Sequence, residues 1–348
     1  MKIHAVILAS AVVLASSAFA QPDFGLVGWA TAGTGTTGGS GGPTITVSDY
    51  PSFESALTQD GLRIVQVSGT ITGTGDGIRV TPGKTVIGLG ANARLENLGL
   101  VIGWNTAFGR TGNVIVRNLT FGSVHAPTDK IAVAYGAKNV WIDHCVFHSD
   151  LAAAGTNKDY YDGQLDITHG ADFVTVSWCR FLDHYKNSLV GHTNKKTDQD
   201  GGHLTVTYHH NAFIHVNSRN PSVRYGLVHV FNNYYLNIES YGIASRCDAQ
   251  VLVENNHFEH VAKPIVADTS LSKVAGFVRG AETNAFVQCG SNSIATPPSS
   301  WVPPYAYKLD PVADVPSLVM RWSGVGVLAP GAPLSGAAKP ATAAPATR

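Results

Sequence analysis

Two aspartates in the middle of the chain have the type and spacing to bind a metal ion. Asp162 and Asp166 stand in the segment YDGQLDITHG. Carboxylate oxygens are the ligands that Ca²⁺ prefers, but on a straight strand these two residues would be roughly 13 Å apart, too far to share one ion. Gly163 allows the chain to bend, and a neighbouring strand could add Asp129. The alternative is that these aspartates only cap turns.

Three cationic residues could bind an anion. Lys186 stands in DHYKNSLVG, where the spacing alone indicates no more than a surface charge. Arg219 and Arg224 are five residues apart in NSRNPSVRYG, so an unbroken strand would point them to opposite faces. Pro221 disrupts the strand and could bring both guanidinium groups to one side. There they would recognise a carboxylate in a planar, bidentate manner; surface charge is the alternative.

Composition limits the class of protein. The 348 residues are 44% hydrophobic and 14% charged, which is typical of a compact, well-buried protein. Acidic and basic residues balance at 24 each, which argues against a nucleic-acid partner. Residues 1–20 have the lysine, apolar run and small-x-small ending of a signal peptide, so we expect secretion. No later apolar run could span a bilayer, so we expect the mature protein to be soluble, with no membrane partner. We also expect a monomer.

A repeat along the chain indicates what positions these residues. Six short segments each combine alternating apolar residues, a polar bend and a final aromatic residue. The aromatic residues are 26, 34, 32, 22 and 23 positions apart, and periods of this size are typical of a solenoid. They are Phe121, Phe147, Phe181, Phe213, Tyr235 and Phe258.

Strands that recur once per coil stack as parallel sheets, with neighbouring strands about 4.8 Å apart. We therefore predict an all-β fold, a single-stranded right-handed parallel β-helix. The alternative, an antiparallel β-sandwich, would need a strand every 8 to 12 residues or so, closed by tight turns. Asn211, Asn233 and Asn256 each stand two positions before an aromatic residue and could form one internal ladder of amide hydrogen bonds.

The four cysteines do not have the spacing of a zinc site. Cys145 and Cys179 occupy the same position in two consecutive segments. We expect them to be stacked, buried free thiols, because parallel side-chain directions make a disulfide geometrically poor. Cys247 and Cys289 lie where the repeat fades, and a bridge between them could tie the C-terminal segment down.

The ends of the chain differ from the middle. We assign residues 44–328 to the β-helix. A Gly-rich lead-in over 21–43, flexible or extended, precedes it, and an Ala- and Pro-rich tail over 329–348, expected to be disordered, follows. The segment SDYPSFESAL predicts a short helix that caps the open end of the stack, with Ser48 or Ser52 as N-cap.

The longest interruptions of the repeat lie between Phe147 and Gln164 and between Lys186 and Gly202. Long loops on one face of a solenoid often build its binding site. Both interruptions adjoin the charged residues described above, so we predict that these loops border the functional face.

Three segments resemble the signature segments of the secreted pectate lyase family, in its fungal form. They are NVWIDHC (139–145), YDGQLDITHGADFVTVSWCRF (161–181) and RNPSVRYGLVHVFNN (219–233). The family's Trp-Ile-Asp-His and Arg-x-Pro-x-x-Arg motifs both stand complete. The resemblance implies a right-handed parallel β-helix, in agreement with the repeat. It also implies a secreted polysaccharide lyase that cleaves polygalacturonate, a (1→4)-α-D-galacturonan, by calcium-dependent β-elimination into 4,5-unsaturated oligogalacturonides.

The resemblance also implies roles for individual residues. Asp162 and Asp166 match the family's acidic calcium ligands. A further ligand usually lies in an Asp-Ala-Ile segment upstream; here that segment reads TDKIAV, which makes Asp129 the candidate. Lys186 and Arg224 match substrate-binding residues.

Arg219 matches the arginine that takes the C5 proton of the substrate. A free guanidinium group in water keeps its proton up to about pH 12, so a base of this type needs help from neighbouring cations. A high working pH would favour it.

Other functions remain open at this point. A pectin lyase acts on methyl-esterified pectin without calcium, and we would expect its acidic ligands to be lost. A polygalacturonan hydrolase needs paired carboxylic acids that activate water, and its motif residues are absent from the sequence. A non-catalytic β-helix could bind cell-wall polysaccharide without cleaving it.

Overall fold

The computed structural model describes residues 20–103, 112–195, 197–297 and 300–328. The chain winds into successive coils, and a full coil contributes one strand to each of three sheets. All ladders between the named strands of the described ranges are parallel. The predicted right-handed parallel β-helix is confirmed, and the antiparallel β-sandwich is wrong. The predicted signal peptide and C-terminal tail lie outside the described residues, apart from Ala20.

The three sheets differ in length. The first sheet has ten strands: β1 (Thr44–Val47), β2 (Arg63–Val67), β5 (Lys84–Gly88), β8 (Gly112–Arg117), β11 (Lys138–Asp143), β14 (Asp172–Ser177), β17 (Thr205–His209), β20 (Leu227–Phe231), β23 (Gln250–Glu254) and β26 (Phe277–Arg279). The second sheet has nine: β3 (Thr70–Thr72), β6 (Arg94–Glu96), β9 (Thr120–Phe121), β12 (Val146–His148), β15 (Arg180–Lys186), β18 (Ala212–Ser218), β21 (Tyr234–Ile238), β24 (His257–Val261) and β27 (Ala285–Val287). The third sheet has eight: β4 (Gly77–Val80), β7 (Gly99–Ile102), β10 (Ile131–Val133), β13 (Leu165–Ile167), β16 (Leu189–Val190), β19 (Ser222–Arg224), β22 (Ile243–Arg246) and β25 (Ile265–Val266).

Helices are short within the described ranges. They are α1 (Tyr50–Thr58), α2 (Leu151–Ala154), α3 (Thr197–Asp200) and α4 (Val315–Trp322), with 3₁₀ turns at Trp29–Thr31 and Ala281–Thr283. Helix α1 buries Phe53, Ala56 and Leu57 against the core and packs on β2 and β4 near the start of the stack. In the described part of the chain, no helix has the length and apolar character needed to cross a membrane.

The predicted N-cap of α1 is wrong. The cap is Asp49, whose side chain accepts a hydrogen bond from the Ser52 N–H at 2.9 Å. Ser48 lies one residue too early, and Ser52 is already inside the first turn. Asp49 is the residue with extended backbone that immediately precedes the helix, which is the position where a side-chain oxygen can reach the free N–H groups.

The core repeats from coil to coil. The predicted aromatic residues form one column of parallel rings, with centroids 4.4–5.0 Å apart from Phe121 to Phe258. Phe286 extends the column by one more coil, at 5.2 Å. Each ring buries its faces against the rings above and below, so the column stabilises the register of the second sheet.

The predicted asparagine ladder is confirmed. Asn211, Asn233 and Asn256 are fully buried. The Asn211 amide donates to Asn233 Oδ1 and the Asn233 amide to Asn256 Oδ1, both at 2.9 Å. Each Oδ1 also accepts the main-chain N–H of the residue above it. Asn284 adds a fourth rung, which the sequence analysis did not foresee.

The cysteine predictions are half correct. Cys145 and Cys179 are buried, free and stacked, with the Cys145 N–H 3.4 Å from Cys179 Sγ. The suggested bridge between Cys247 and Cys289 is wrong, since both are free. Cys247 follows β22 of the third sheet, whereas Cys289 follows β27 of the second sheet, so the coil places them on different sides of the molecule.

The lead-in is ordered and lies against the first sheet. The main-chain N–H groups of Trp29 and Ala30 donate to Thr207 and Thr175 Oγ1, each at 3.0 Å. Gly28 has a φ of 116°, and a Cβ atom there would overlap both threonines. Helix α4 packs on the second sheet. The third sheet is bordered instead by the loops over 149–164 and 191–204.

Removing one rung of the asparagine ladder should destabilise the whole stack. In Asn233→Ala, the main-chain N–H and the side-chain amide of Asn211 lose Asn233 Oδ1, to which both donate, and the main-chain oxygens of Tyr208 and Phe231 lose the Asn233 amide. We expect a loss of about 3 kcal/mol or more of unfolding free energy, because each unsatisfied buried polar group costs about 1–3 kcal/mol. Denaturant unfolding measures it. Asn217→Ala removes the same group from the surface and should change stability by less than about 0.5 kcal/mol; equal effects would contradict the ladder's role.

Candidate functional site

The three predicted aspartates come together where the third sheet meets the loop over 149–164. Asp166 is the outward-facing residue of β13, between two residues buried in the core. Asp129 stands two positions before β10, the neighbouring strand of the same sheet. Asp162 ends the loop that leads into β13. Stacking of successive coils therefore brings together carboxylates from separate parts of the chain.

Gly163 makes the close approach of two of these carboxylates possible. Its N–H donates to Asp129 Oδ1 at 2.7 Å. A Cβ atom at Gly163 would overlap Asp166 Oδ1 and stand 3.0 Å from Asp129 Oδ1. Glycine is therefore required at this position because it has no side chain. Any other residue would push a carboxylate away.

The clustered carboxylates are electrostatically unfavourable without a cation. Burial raises the pKa of Asp129 well above its usual value, and the charges of Asp166 and Asp162 raise it further. Burial raises the pKa of Asp166 to about 7, although Arg219 and the Leu189 N–H act in the opposite direction. The site therefore favours the uptake of positive charge, either as protons or as a metal ion.

The donor set fits a hard cation. Asp129 and Asp166 supply carboxylate oxygens at one point, and such oxygens are the ligands of Ca²⁺. In the described ranges no three Asp, Glu, His or Cys side chains already form a complete ligand group, and Asp162 instead pairs with Lys186 at 3.2 Å. A Ca²⁺ ion takes roughly six to eight oxygen ligands, so Asp129, Asp166 and, once released from Lys186, Asp162 would still leave coordination positions for water and for an anionic ligand.

Lys186 ends β15 and bridges two acids. Its Nζ lies 2.9 Å from Asp159 and 3.2 Å from Asp162. Partial burial alone would lower the pKa of Lys186, but the hydrogen bonds to these carboxylates outweigh burial and raise it. The lysine is therefore a fixed cation beside the aspartates. Its bond to Asp159, whose side chain is 84% exposed, is a surface contact that a ligand can replace at little cost.

Arg219 stands at an irregularity of the stack. The register pairs Lys186 with Ser218 and Leu189 with Ser222. Two residues separate these pairs in one coil and three in the next, so the second coil carries one extra residue. Arg219 is in this segment, with a φ of 65° in the left-handed region. Its side chain makes no hydrogen bond or ion pair with the described residues, so the guanidinium group is available to a ligand.

Arg224 ends β19 and is held in place by the loop over 191–204. Its Nη1 donates to the Gly191 oxygen at 2.6 Å, and its Nε donates to Asn194 Oδ1 at 2.5 Å. Burial, together with the charges of Arg246 and Arg219, lowers the pKa of Arg224 to about 10. The two predicted arginines therefore lie within electrostatic reach of each other, as the sequence analysis required.

Arg246 lies beside Arg224 and was not among the residues singled out from the sequence. It pairs with Arg224 in the third sheet, and its Nη2 donates to Ser222 Oγ at 2.9 Å. The spacing from Arg224 is 22 residues, which equals the spacing between Phe213 and Tyr235. The coil period could therefore have identified it.

Comparison with known proteins gives a consistent result. The pectate lyase family model matches residues 1–328. The chain is 35% identical over 317 residues to the pectate trisaccharide-lyase of Bacillus licheniformis, covering 88% of each chain. It is 49% identical over 232 residues to pectate lyase A of Aspergillus niger, covering 66% of this chain and 68% of that one.

Solved structures agree in fold. A pectate lyase from Bacillus sp. N165, determined in complex with trigalacturonate, superposes with a TM-score of 0.74 at 32% identity, covering 87% of this chain and 99% of that one. The pectate lyase of Acidovorax avenae subsp. citrulli gives a TM-score of 0.73 at 22% identity, covering 93% and 99% of the two chains. The family model, the similar sequences and the shared β-helix together show that the chain belongs to the pectate lyase family.

Proposed function

We propose that this lyase cleaves polygalacturonate by calcium-dependent β-elimination at the outer face of the third sheet. Asp129, Asp162 and Asp166 would hold the calcium ion, Lys186 and Arg224 would bind substrate carboxylates, and Arg219 would take the C5 proton. The observation that carries the proposal is that two aspartates of raised pKa, the buried Asp166 and the half-buried Asp129, lie beside the Arg219 guanidinium group, which makes no hydrogen bond or ion pair with the described residues. The aspartates attract a cation and the guanidinium group attracts an anion. An acidic sugar polymer that binds through a calcium ion requires both.

The substrate's chemistry explains why both charges are needed. The C5 proton lies next to a carboxylate, so its removal places more negative charge on a group that is already anionic. Calcium, when bound, would withdraw electron density from this carboxylate and so make the C5 proton more acidic. Lys186 and Arg224 add fixed positive charge where the negative charge develops.

Arg219 is the best-placed base among the cationic residues. Its side chain has no protein partner in the described ranges, whereas Lys186 and Arg224 are both hydrogen-bonded. In its neutral guanidine form, Arg219 takes the proton from C5, the C–H electron pair forms the C4–C5 double bond, and the C4–O bond breaks. The leaving oxygen takes a proton from solvent, and the Arg219 guanidinium ion then releases its proton to solvent. The product is a 4,5-unsaturated oligogalacturonide.

The nature of the substrate supports an extracellular site of action. Polygalacturonate is a large polyanion that does not cross a membrane, so an enzyme that cleaves it must be outside the cell. The signal-peptide pattern of residues 1–20 agrees with this proposal.

An absorbance assay for the unsaturated product tests the proposed function. We expect turnover on polygalacturonate that is abolished by a chelator and restored by added calcium. Activity that survives exhaustive chelation and is greater on methyl-esterified pectin would favour a pectin lyase. Binding without any product would favour the non-catalytic alternative, and reducing ends without ultraviolet absorbance would indicate hydrolysis.

Substitutions of the two arginines should have different kinetic effects. Arg219→Lys keeps the charge but loses the planar group and its placement, so we expect kcat to fall by about 10²–10⁴-fold, the usual contribution of a positioned base, with KM little changed. Arg224→Lys should mainly raise KM, because its proposed task is to bind a carboxylate. Steady-state kinetics on variants with parental circular dichroism measures both. Near-normal kcat for Arg219→Lys would exclude it as the base and point to a bound water or hydroxide.

Neutralising Asp166 should stabilise the calcium-free protein. The pKa of Asp166 in the folded state, about 7, exceeds the reference value of 3.8, so the folded state binds the proton more tightly. Its contribution to stability is therefore lost as the pH rises from about 4 to about 7. With chelator at pH 8, Asp166→Asn should raise the unfolding free energy by about 1–3 kcal/mol, since one pKa unit corresponds to about 1.4 kcal/mol.

Asn at position 166 retains the oxygen that accepts the Leu189 N–H, so the local hydrogen bonding is kept. Thermal unfolding with and without chelator measures the effect, and calcium should stabilise the parent but not the variant. Asp159→Asn, at an exposed position, is the control and should leave the melting temperature nearly unchanged. A destabilised Asp166→Asn protein in chelator would refute the electrostatic description of the site.

A further inference from the structure

A chain of buried polar side chains lies beneath the aspartates and has no part in the proposed chemistry. Lys130, Ser149 and His184 are 1%, 4% and 1% exposed. Lys130 Nζ is 2.8 Å from Ser149 Oγ, which is 2.9 Å from His184 Nδ1. His184 Nε2 is 2.6 Å from the main-chain oxygen of Asp162. We call Lys130, Ser149 and His184 the buried relay.

The hydrogen bonds of the buried relay can run in only one direction. A carbonyl oxygen only accepts, so His184 Nε2 carries the ring proton and Nδ1 is the acceptor. The Ser149 hydroxyl therefore donates to His184. That bond uses the one Ser149 hydroxyl proton, so Lys130 donates to Ser149 Oγ whether its amine is charged or neutral. Each side chain thus determines the orientation of the next, from Lys130 to the Asp162 peptide.

Both ends of the buried relay are connected to proposed calcium ligands: His184 bonds to the main chain of Asp162, and Lys130 adjoins Asp129. Lys130 follows Asp129 in the chain, and its main-chain N–H donates to the Gly163 oxygen at 3.1 Å. The Gly163 N–H donates to Asp129 Oδ1 at 2.7 Å. The short segment Asp162–Gly163 is therefore held at three points: by His184, by the Lys130 main chain and by the Asp129 carboxylate.

We propose that the buried relay positions Asp129 and Asp162 for calcium by holding the Asp162–Gly163 segment in place. This inference rests on the proposed function, because it concerns the affinity of the same calcium site. The three residues are positioning residues, since none of them contacts substrate or the reacting atoms. Their effect reaches the site through the main chain of the loop that carries Asp162.

The burial of Lys130 distinguishes the buried relay from ordinary core packing. Burying a lysine is unfavourable, and burial lowers the pKa of Lys130 to about 7, although the charges of Glu96 and Asp129 act in the opposite direction. Its Nζ donates to Ser149 Oγ and lies 5.7 Å from the centre of the Tyr161 ring. An apolar side chain would fill the space without this cost but could not orient Ser149 and His184.

The test measures calcium binding directly, without substrate, by isothermal titration calorimetry. Lys130→Met keeps the approximate shape and removes the donor, and Ser149→Ala interrupts the buried relay without changing charge. We expect both to raise the calcium Kd by about 10- to 100-fold, the usual effect of removing a partner that orients metal ligands. The KM for polygalacturonate at saturating calcium should stay at the parental value. Ser149→Thr, which restores a hydroxyl, should recover most of the affinity.

Lys84→Met is the matched control. Lys84 is also fully buried, but its Nζ donates to the Gly61 oxygen at 2.7 Å, near the N-terminal end of the stack. The Lys84→Met variant should be less stable than the parent protein but should bind calcium with the parental affinity. If Lys130→Met does not fold, the calcium affinities of Ser149→Ala and Ser149→Thr test the inference. Parental calcium affinity in Ser149→Ala, or an equal loss in Lys84→Met, would overturn the inference while leaving the proposed function intact. A parent protein that binds no calcium would overturn both.

Discussion

The structure depends on one constraint: each coil must satisfy its main-chain hydrogen bonds with the coils above and below it. Parallel strands have no partner within their own coil, so a coil that slipped in register would leave buried N–H and C=O groups unpaired. The asparagine ladder enforces this register at the bend between the first and second sheets, where each Oδ1 accepts from the rung above. The aromatic column does the same inside the second sheet. Both devices act only when identical residues stack, which is why they recur at the coil period.

The same stacking creates the site. Residues that face outward at equivalent positions of neighbouring coils must lie side by side, whatever their charge. On the third sheet this places arginine beside arginine at Arg224 and Arg246. Asp166 is in register with Ala132, and Asp129 comes near it because both carboxylates approach Gly163. Such like-charge contacts are unfavourable in the isolated protein. They become favourable when a cation binds between the aspartates and an anion binds between the arginines. The unliganded stack is therefore less stable, and its affinity for these ligands is higher.

Precision at this site comes from the residues packed around it. The site lies on a sheet surface and in loop ends. Gly163 lets two carboxylates approach one main-chain point, the extra residue at Arg219 turns a side chain out of the regular ladder, and the loop over 191–204 holds Arg224. The buried relay would extend this logic to the loop that carries Asp162. The regular coils fix the positions of the backbone, and local irregularities orient the functional side chains.

The sequence alone determined the coil period, the aromatic column, the asparagine ladder and the six charged residues of interest, because periodic burial leaves a periodic pattern in the residue types. The tertiary structure decided which coils' carboxylates meet, since Asp129 and Asp166 are 37 residues apart and their contact depends on the length of the loop between them. It also decided that Cys247 and Cys289 are separated and that Asp162 pairs with Lys186. These outcomes depend on how segments that are distant in the chain pack against one another, and no local residue pattern encodes that packing.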